Sequence, residues 1–283
     1  MRRPISTSLS LLFPLFAFAL VLVPLSQPAA QLADAGSRRQ TVIDSLRNNF
    51  RVGSCCAMPL NRCLRERPNC ALAPRISSFV DWLNDQWQSN SGIPEGRIIE
   101  MLNDHHATLT DTKVHRIDTR GWPIIGDRDA PITVVLYYSI TCPACKAGFM
   151  ELYPAVTTGP LKGKARIVAK PLGNIYGNRA LVAAHDMGRF TDFKLALSEI
   201  TGRIDENIIL DVADRLYFDR ERFRAMIDSQ SVTERTEQST KDGSDLGVNR
   251  IPTYFIEGRR YNSTISPQWV IDAIDFAHET KTR

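Results

Sequence analysis

One short segment limits the possible folds of this chain more than any other: an apolar run that ends in two closely spaced cysteines. Residues 132–140 follow a turn at residues 126–131 and are rich in β-branched and aromatic side chains. A near-continuous apolar run of this length, bounded by turn residues, is typical of a buried central strand. It leads directly into Cys142-Pro-Ala-Cys145, after which residues 146–153 have a helical pattern. The sequence therefore predicts a strand, a Cys-x-x-Cys motif and a helix in immediate succession.

The spacing of Cys142 and Cys145 fits half of a zinc site, a structural disulfide or a redox pair. A zinc site requires a second ligand pair, and the sequence contains neither another Cys-x-x-Cys nor two suitably spaced histidines. A disulfide that closes so short a loop would contribute little stability. At a helix start, unpaired backbone N–H groups and the helix dipole stabilise a thiolate. A redox pair is therefore favoured, with Cys142 as the exposed nucleophile and Cys145 as the resolving thiol.

The residues around the two cysteines are expected to support this site. Pro143 suits the first turn of a helix, because proline lacks the N–H that would have no partner there. Thr141 precedes the first cysteine and Ala144 precedes the second. These three residues complete the predicted active-site motif.

Hydrophobic periodicity divides the rest of the chain into helical and mixed parts. Residues 36–110 have helical patterns and no strand signal, and residues 178–246 are again helical. Beyond the central strand, strand patterns occur at 113–118, where an edge strand is expected, at 165–170, at 253–256 and from Arg260 onward. A final helix is predicted from Pro267, with Ser266 as its N-cap. The fold class is therefore α/β, with a small helical part in front.

The first 35 residues have the order of a secretory signal. Arg2 and Arg3 precede an apolar run at residues 9–23, and alanines follow. The run is shorter than the ~20 apolar residues that a membrane-spanning helix needs. Cleavage after Ala30 or Ala35 is the favoured interpretation, and an uncleaved membrane anchor is the alternative. We therefore expect the protein in the periplasm or cell envelope.

Four further cysteines lie close together near the start of the mature chain: Cys55, Cys56, Cys63 and Cys70. An even number of cysteines in an exported chain suggests disulfides, and a small helical unit with a limited core would benefit from them. Two structural disulfides are favoured over a metal site or a second redox relay. Three pairings are possible, and a bond between the adjacent cysteines would be strained, so each is expected to pair elsewhere.

Two separated stretches resemble bacterial DsbA-like proteins of the thioredoxin superfamily. They are residues 137–146, with the redox motif, and residues 247–258, with Ile251 and Pro252. The resemblance covers about residues 115–280. It implies an α/β thioredoxin fold over residues 111–283, with a helical insertion at about 178–246, preceded by the small cysteine-containing helical domain at 36–110. It also implies that Ile251–Pro252 is a cis peptide bond beside the redox pair, where an extended client peptide would bind.

The chain departs from this family at two positions that matter for redox chemistry. Ala144 stands where DsbA has a histidine that helps to stabilise the thiolate, so a less oxidising pair is expected. Leu136 stands six residues before Cys142, where many thioredoxins and DsbA have a buried acid. A proton acceptor for Cys145 must then come from elsewhere, and the redox direction stays open.

The function expected from these features is that of an exported thiol–disulfide oxidoreductase. It would exchange disulfides with client polypeptides through Cys142 and Cys145, without a cofactor or metal, and a membrane redox protein would recycle it. The alternatives are a non-enzymatic module whose thiolates bind a metal such as Cu(I), or an adaptor with inert disulfides. A nucleic-acid partner is not expected, because the net charge of +4 is small and dispersed.

Overall fold

The computed structural model describes residues 27–90, 92–261 and 266–282, with side chains from residue 36 onward. The N-terminal part of the predicted signal, with Arg2, Arg3 and the apolar run at 9–23, lies outside the described residues. Within those ranges, no helix is both long enough and apolar enough to cross a membrane.

The described part of the chain begins with four helices and a short hairpin. In order these are α1 (Gln27–Asn49), β1 (Arg51–Gly53), β2 (Cys56–Pro59), α2 (Leu60–Glu66), α3 (Leu72–Ser89) and α4 (Glu95–Thr110). The hairpin corrects the prediction that this part contains no strand. Its strands are three and four residues long, which is too short for an alternating pattern to stand out from the flanking helical residues.

A five-stranded sheet follows, built from β3 (Ile124–Gly126), β4 (Ile132–Tyr138), β5 (Ala165–Pro171), β6 (Thr253–Ile256) and β7 (Arg259–Tyr261). The order across the sheet is β3-β5-β4-β6-β7, and only β4 and β5 run parallel. They are joined by α5 (Pro143–Thr157), the helical crossover that a parallel pair requires. β4 therefore has a strand on each side, and six of its seven residues are buried, as its apolar run predicts.

The edge strands of the sheet are β3 and β7, and the prediction of an edge strand at residues 113–118 is wrong. That segment pairs with no strand of the described residues. Its His115 N–H instead donates to the carbonyl oxygen of Gly258 in the β6–β7 turn, at 2.8 Å. The Asp118 carbonyl oxygen also accepts from Lys170 Nζ at 3.0 Å, so isolated contacts and not a strand ladder hold the segment, although its residues alternate in the sequence.

Five helices lie between β5 and β6 in the sequence, and one further helix follows β7. They are α6 (Tyr176–Asp186), α7 (Phe190–Glu199), α8 (Glu206–Arg215), α9 (Arg220–Ile227) and α10 (Gln230–Asp245), followed by α11 (Pro267–Lys281). The helices α8, α9 and α10 begin with Asp205, Asp219 and Ser229, whose side chains each accept a backbone N–H. The helical insertion expected from the sequence is thus confirmed. Its helix α7 packs against α5 and so reaches the redox motif.

The N-terminal helices share an apolar core with the sheet part of the chain. Phe79 of α3 lies 4.8 Å, between ring centroids, from Trp269 of α11, and it stacks on His105 of α4 at 4.0 Å. Burial lowers the pKa of His105 to about 3, so this side chain is neutral. At the edge of this contact Arg75 binds Asp272 of α11. The N-terminal helices are therefore held against the final helix of the sheet part.

Candidate active site

Cys142 lies at the point where β4 has ended and α5 begins. It is the N-cap residue of α5, and its Sγ accepts the backbone N–H of Cys145 at 3.1 Å. The Cys142 thiol also lies 3.6 Å from the carbonyl oxygen of Ile251, to which it donates. Pro143 occupies the first helical position, as the sequence predicts. The first cysteine is thus half-buried and held by one donor and one acceptor of the backbone.

Cys145 lies one helical turn further and is 2 % exposed. Burial, together with its hydrogen bond to Cys142, raises the pKa of the Cys145 thiol well above its ordinary value. The two sulfurs are not bonded to each other, so the structure shows the dithiol form. An accessible thiol followed by a buried, protonated one is the arrangement that sequential attack and resolution require.

Strand register brings residues 251 and 252 beside this pair. Thr253 of β6 pairs with Tyr137 of β4, and the two strands are antiparallel. The residues just before Thr253 therefore face those just after Tyr137, where the motif begins. The Ile251–Pro252 bond is cis, in agreement with what the resemblance implies. Ile251 is partly exposed beside Cys142, whereas Pro252 is buried.

The remaining residues of the motif lie on its exposed side. Thr141 and Ala144 are exposed, and the Thr141 hydroxyl is 3.2 Å from that of Ser139. Beneath this loop, the fully buried Asn178 accepts the N–H of Ile140 at 2.9 Å. Its amide also donates to the carbonyl oxygens of residues 172 and 173, at 2.9 and 2.8 Å. Asn178 therefore ties the loop after β4 to the loop after β5. The sequence patterns did not identify this residue, although an asparagine within an apolar helical stretch is a usable signal.

A buried lysine of the helical insertion adds a second feature that sequence reasoning missed. Lys194 of α7 is 3 % exposed, and its Nζ lies 4.7 Å from the centre of the Phe149 ring and 5.6 Å from that of Tyr138. Nζ donates to the Ser198 hydroxyl at 3.3 Å. Burial lowers the pKa of Lys194 to about 8, against the opposing effect of Cys145. Among the described residues no carboxylate forms an ion pair with it.

Position 136, where the family has a buried acid and this chain has leucine, lies in apolar surroundings. Leu136 is buried in the middle of β4, paired with Ala169 on one side and Tyr254 on the other. The other fully buried lysine, Lys170 of β5, is paired with Asp242 at 2.9 Å. The two buried lysines thus differ: Lys170 has a carboxylate partner, whereas the charges that act on Lys194 are those of Cys145, Lys146 and Cys142.

The four N-terminal cysteines form two disulfides in the structure, Cys55–Cys70 and Cys56–Cys63. The adjacent cysteines therefore bond to different partners, and the bonds connect the hairpin to α2 and to the turn before α3. No group of three or more His, Cys, Asp or Glu side chains within the described ranges could hold a metal ion.

Comparison with known proteins agrees with this architecture. Residues 118–275, more than half of the chain, match the family model described as Thioredoxin. A thioredoxin-like oxidoreductase from Silicibacter pomeroyi is 25 % identical with a TM-score of 0.53, covering 58 % of this chain and 99 % of that one. BdbD from Bacillus subtilis shares the fold, at 18 % identity and a TM-score of 0.52, over 60 % of this chain and all of that one.

A different kind of relative matches over about half of the chain. The Na(+)/H(+) antiporter NhaA 1 of Salinispora arenicola is 29 % identical over 163 residues, which are 54 % of this chain and 24 % of that protein. The chain thus spans about a quarter of the length of the curated relatives that it matches. The family match, the sheet order and the helical insertion agree: the chain belongs to the thioredoxin family.

Proposed function

We propose that this protein is exported and exchanges disulfides with client polypeptides, with Cys142 as nucleophile and Cys145 as resolving thiol. One observation carries the proposal: the half-buried Cys142 sulfur lies at the start of α5, within 3.6 Å of the Ile251 carbonyl oxygen, while Cys145 is buried behind it. A client chain that lies along residues 251 and 252 would bring its sulfur to Cys142 and not to Cys145.

The proposed reaction has two steps. The Cys142 thiolate attacks a client disulfide, the client S–S bond breaks, and one client sulfur leaves as a thiolate. Cys145 then attacks the Cys142 sulfur, which forms the Cys142–Cys145 disulfide and releases the second client sulfur. Two electrons pass from the protein to the client. The same steps in reverse oxidise a client dithiol, and a membrane redox protein would then restore the starting form.

Trapping of the mixed disulfide tests the two roles. A peptide with one disulfide is added to reduced wild-type protein, to Cys145→Ser and to Cys142→Ser, and the products are identified by intact mass. Cys145→Ser is expected to accumulate a protein–peptide adduct, wild type to release reduced peptide, and Cys142→Ser to do neither. Exchange that persists in Cys142→Ser, or no adduct with Cys145→Ser, would show that the roles are wrong.

The direction of exchange is decided by the reduction potential of the pair. Equilibration in glutathione buffers, followed by alkylation and mass measurement, gives this potential. With Ala144 in place of the histidine of DsbA, we expect a value below the ~−120 mV of DsbA. A value near the ~−270 mV of thioredoxin would indicate a reductase, and a value well above it an oxidase or isomerase.

Export and domain division are also part of the proposal. The order of charge, apolar run and alanines in residues 1–35 supports a signal, and the separate disulfides support a small domain at 36–110 in front of a redox domain at 111–283. N-terminal sequencing of full-length protein from the cell-envelope fraction tests the signal. A new terminus at Gln31 or Gly36 is expected. An unprocessed chain would favour the membrane anchor instead.

A further inference from the structure

The buried face of α7 contains two polar residues at positions where apolar side chains would be expected. Its buried residues are Phe190, Phe193, Lys194, Leu197 and Ser198, which follow the spacing of a helix stripe that faces a core. An unpaired ammonium in such a stripe is unfavourable, because burial removes its hydration. This ammonium lies against α5, which begins just after Cys142 and contains Cys145, and that position suggests a chemical reason for it.

The surroundings of the Lys194 amine connect it to Cys145. Phe149, whose ring lies 4.7 Å from Nζ, is four residues after Cys145 and therefore on the same side of α5. Tyr138, at 5.6 Å, is the last residue of β4 before the motif loop. The positive charge of Lys194 lowers the pKa of Cys145, in opposition to burial, and a negative charge on Cys145 raises the pKa of Lys194.

We propose that Lys194 is the proton-transfer residue of the redox pair: its free amine takes the proton of Cys145 as that thiol attacks the mixed disulfide. This inference rests on the proposed function. In the step, the Cys145 S–H bond breaks and the proton moves to Nζ. The Cys145–Cys142 bond forms, and the bond between Cys142 and the client breaks with the electron pair going to the client sulfur. In the oxidising direction the ammonium returns the proton to Cys145.

The other groups around Lys194 are not suited to accept the proton of Cys145. Leu136 supplies no acceptor, and the Tyr138 phenol stays protonated, because burial raises its pKa. Lys146, next to Cys145, lowers the pKa of Lys194 and donates to the carbonyl oxygen of Ile200 at 2.6 Å. The faces of α6 and α8 that are buried contain no ionisable side chain. Among the described residues, the charges that affect the pKa of Lys194 are those of Cys145, Lys146 and Cys142.

The test uses Ellman's reagent, 5,5′-dithiobis(2-nitrobenzoate), with protein whose N-terminal disulfides are kept oxidised. Attack by Cys142 releases a first coloured thiolate, and attack by Cys145 on the resulting mixed disulfide releases a second. The leaving group is the thiolate of an acidic thiol and needs no proton, so the pH dependence of the second release reports the proton on Cys145. In wild type this rate should rise with pH and level off above about 8, where the Lys194 amine is free.

Two variants separate a base from a mere positive charge. Lys194→Met removes the amine, and Lys194→Arg keeps the charge but holds its proton at every accessible pH. Because general acid–base catalysis contributes about 10²–10⁴-fold, both variants should slow the second release about 100-fold at pH 8 and lose the levelling near 8. Lys162→Met, at an exposed lysine outside the site, is the matched control and should behave as wild type.

Each other outcome has a definite meaning. A Lys194→Arg protein with the wild-type rate and pH profile would reduce Lys194 to a source of positive charge and overturn proton transfer. An unchanged Lys194→Met protein would remove any role of the side chain in resolution. The first release must stay close to wild type in both variants, which also shows that they are folded. Loss of the first release in wild type itself would overturn the proposed function and not this inference alone.

Discussion

Replacement of Lys194 by methionine keeps the length of the side chain and removes its buried charge. In the folded protein the pKa of Lys194 is lowered from 10.5 to about 8. A pKa difference of one corresponds to about 1.4 kcal/mol, so the charged side chain destabilises the folded state by about 3 kcal/mol at pH 7. The methionine variant loses the hydrogen bond to Ser198 and the contact with the Phe149 ring, about 1 kcal/mol each. We therefore expect Lys194→Met to be more stable than wild type by about 1 kcal/mol.

The sign of the pH dependence follows from the lowered pKa. The unfolded chain keeps its proton up to about 10.5 and the folded chain releases it near 8, so unfolding takes up a proton between these values. Raising the pH through this window stabilises wild type but leaves Lys194→Met unchanged. At pH 9 the destabilisation by the charge has fallen to about 2 kcal/mol. The advantage of Lys194→Met should then shrink by about 1 kcal/mol between pH 7 and pH 9.

Urea unfolding at both pH values, with Lys162→Met as control, measures this difference. In thermal unfolding at pH 7, the melting temperature of Lys194→Met should be about 2–4 °C higher than that of wild type. The control should match wild type at both pH values, because its lysine is exposed. A Lys194→Met protein that is less stable than wild type at pH 7, or a difference that does not change with pH, would refute the view that an uncompensated ammonium lies in this core.

Three further predictions concern other parts of the fold. Asp242→Asn leaves the buried ammonium of Lys170 without a carboxylate and should destabilise by about 3–5 kcal/mol in urea unfolding, more than Asn at an exposed aspartate. Protonation of the buried His105, whose pKa is about 3, opposes folding, so the free energy of unfolding should fall as the pH drops from 6.5 toward 3. His105→Phe should make this pH dependence weaker in acid titrations. Gly148→Ala places a methyl 2.5 Å from the Tyr254 hydroxyl and should lower the free energy of unfolding by about 1–2 kcal/mol. A double-mutant cycle should show that Tyr254→Phe, which removes this hydroxyl, restores the stability.

The parts of the fold that the sequence predicts are those with long or chemically distinct signals. The central strand and the helix after it are confirmed because burial on both faces of β4 makes its apolar run continuous. The hairpin of residues 51–59 was missed, because strands of three and four residues carry no readable period. Residues 113–118 alternate but pair with no strand of the described residues, so the pattern alone was misleading there. Hydrophobic patterns indicate which residues are buried, but they do not indicate which strands have a free edge for pairing.

The site was predicted in the same uneven way. Cys142, Cys145 and Pro252 are indicated by the motif and by the family resemblance, and these residues lie near the ends of two neighbouring strands, β4 and β6. Asn178 and Lys194 come from the helical insertion, where no motif points to them. For Lys194 a signal existed in retrospect: a lysine and, four residues later, a serine occupy the buried stripe of α7. A polar residue in an otherwise apolar stripe is worth treating as a candidate site residue before the fold is known.

Leucine at position 136 and lysine at position 194 are best understood together. A carboxylate on β4 would serve as proton acceptor beneath the pair, but it would also form an ion pair with a nearby ammonium and hold both charges permanently. With Leu136 in place, no carboxylate of the described residues forms an ion pair with the Lys194 amine, and its pKa of about 8 lets it gain and lose a proton near neutral pH. Lys170 differs in its surroundings, because its ammonium has a carboxylate partner, Asp242, at 2.9 Å. The insertion would then supply a working part of the redox site, and loss of stability at position 194 would be the consequence of keeping an amine that can change its charge.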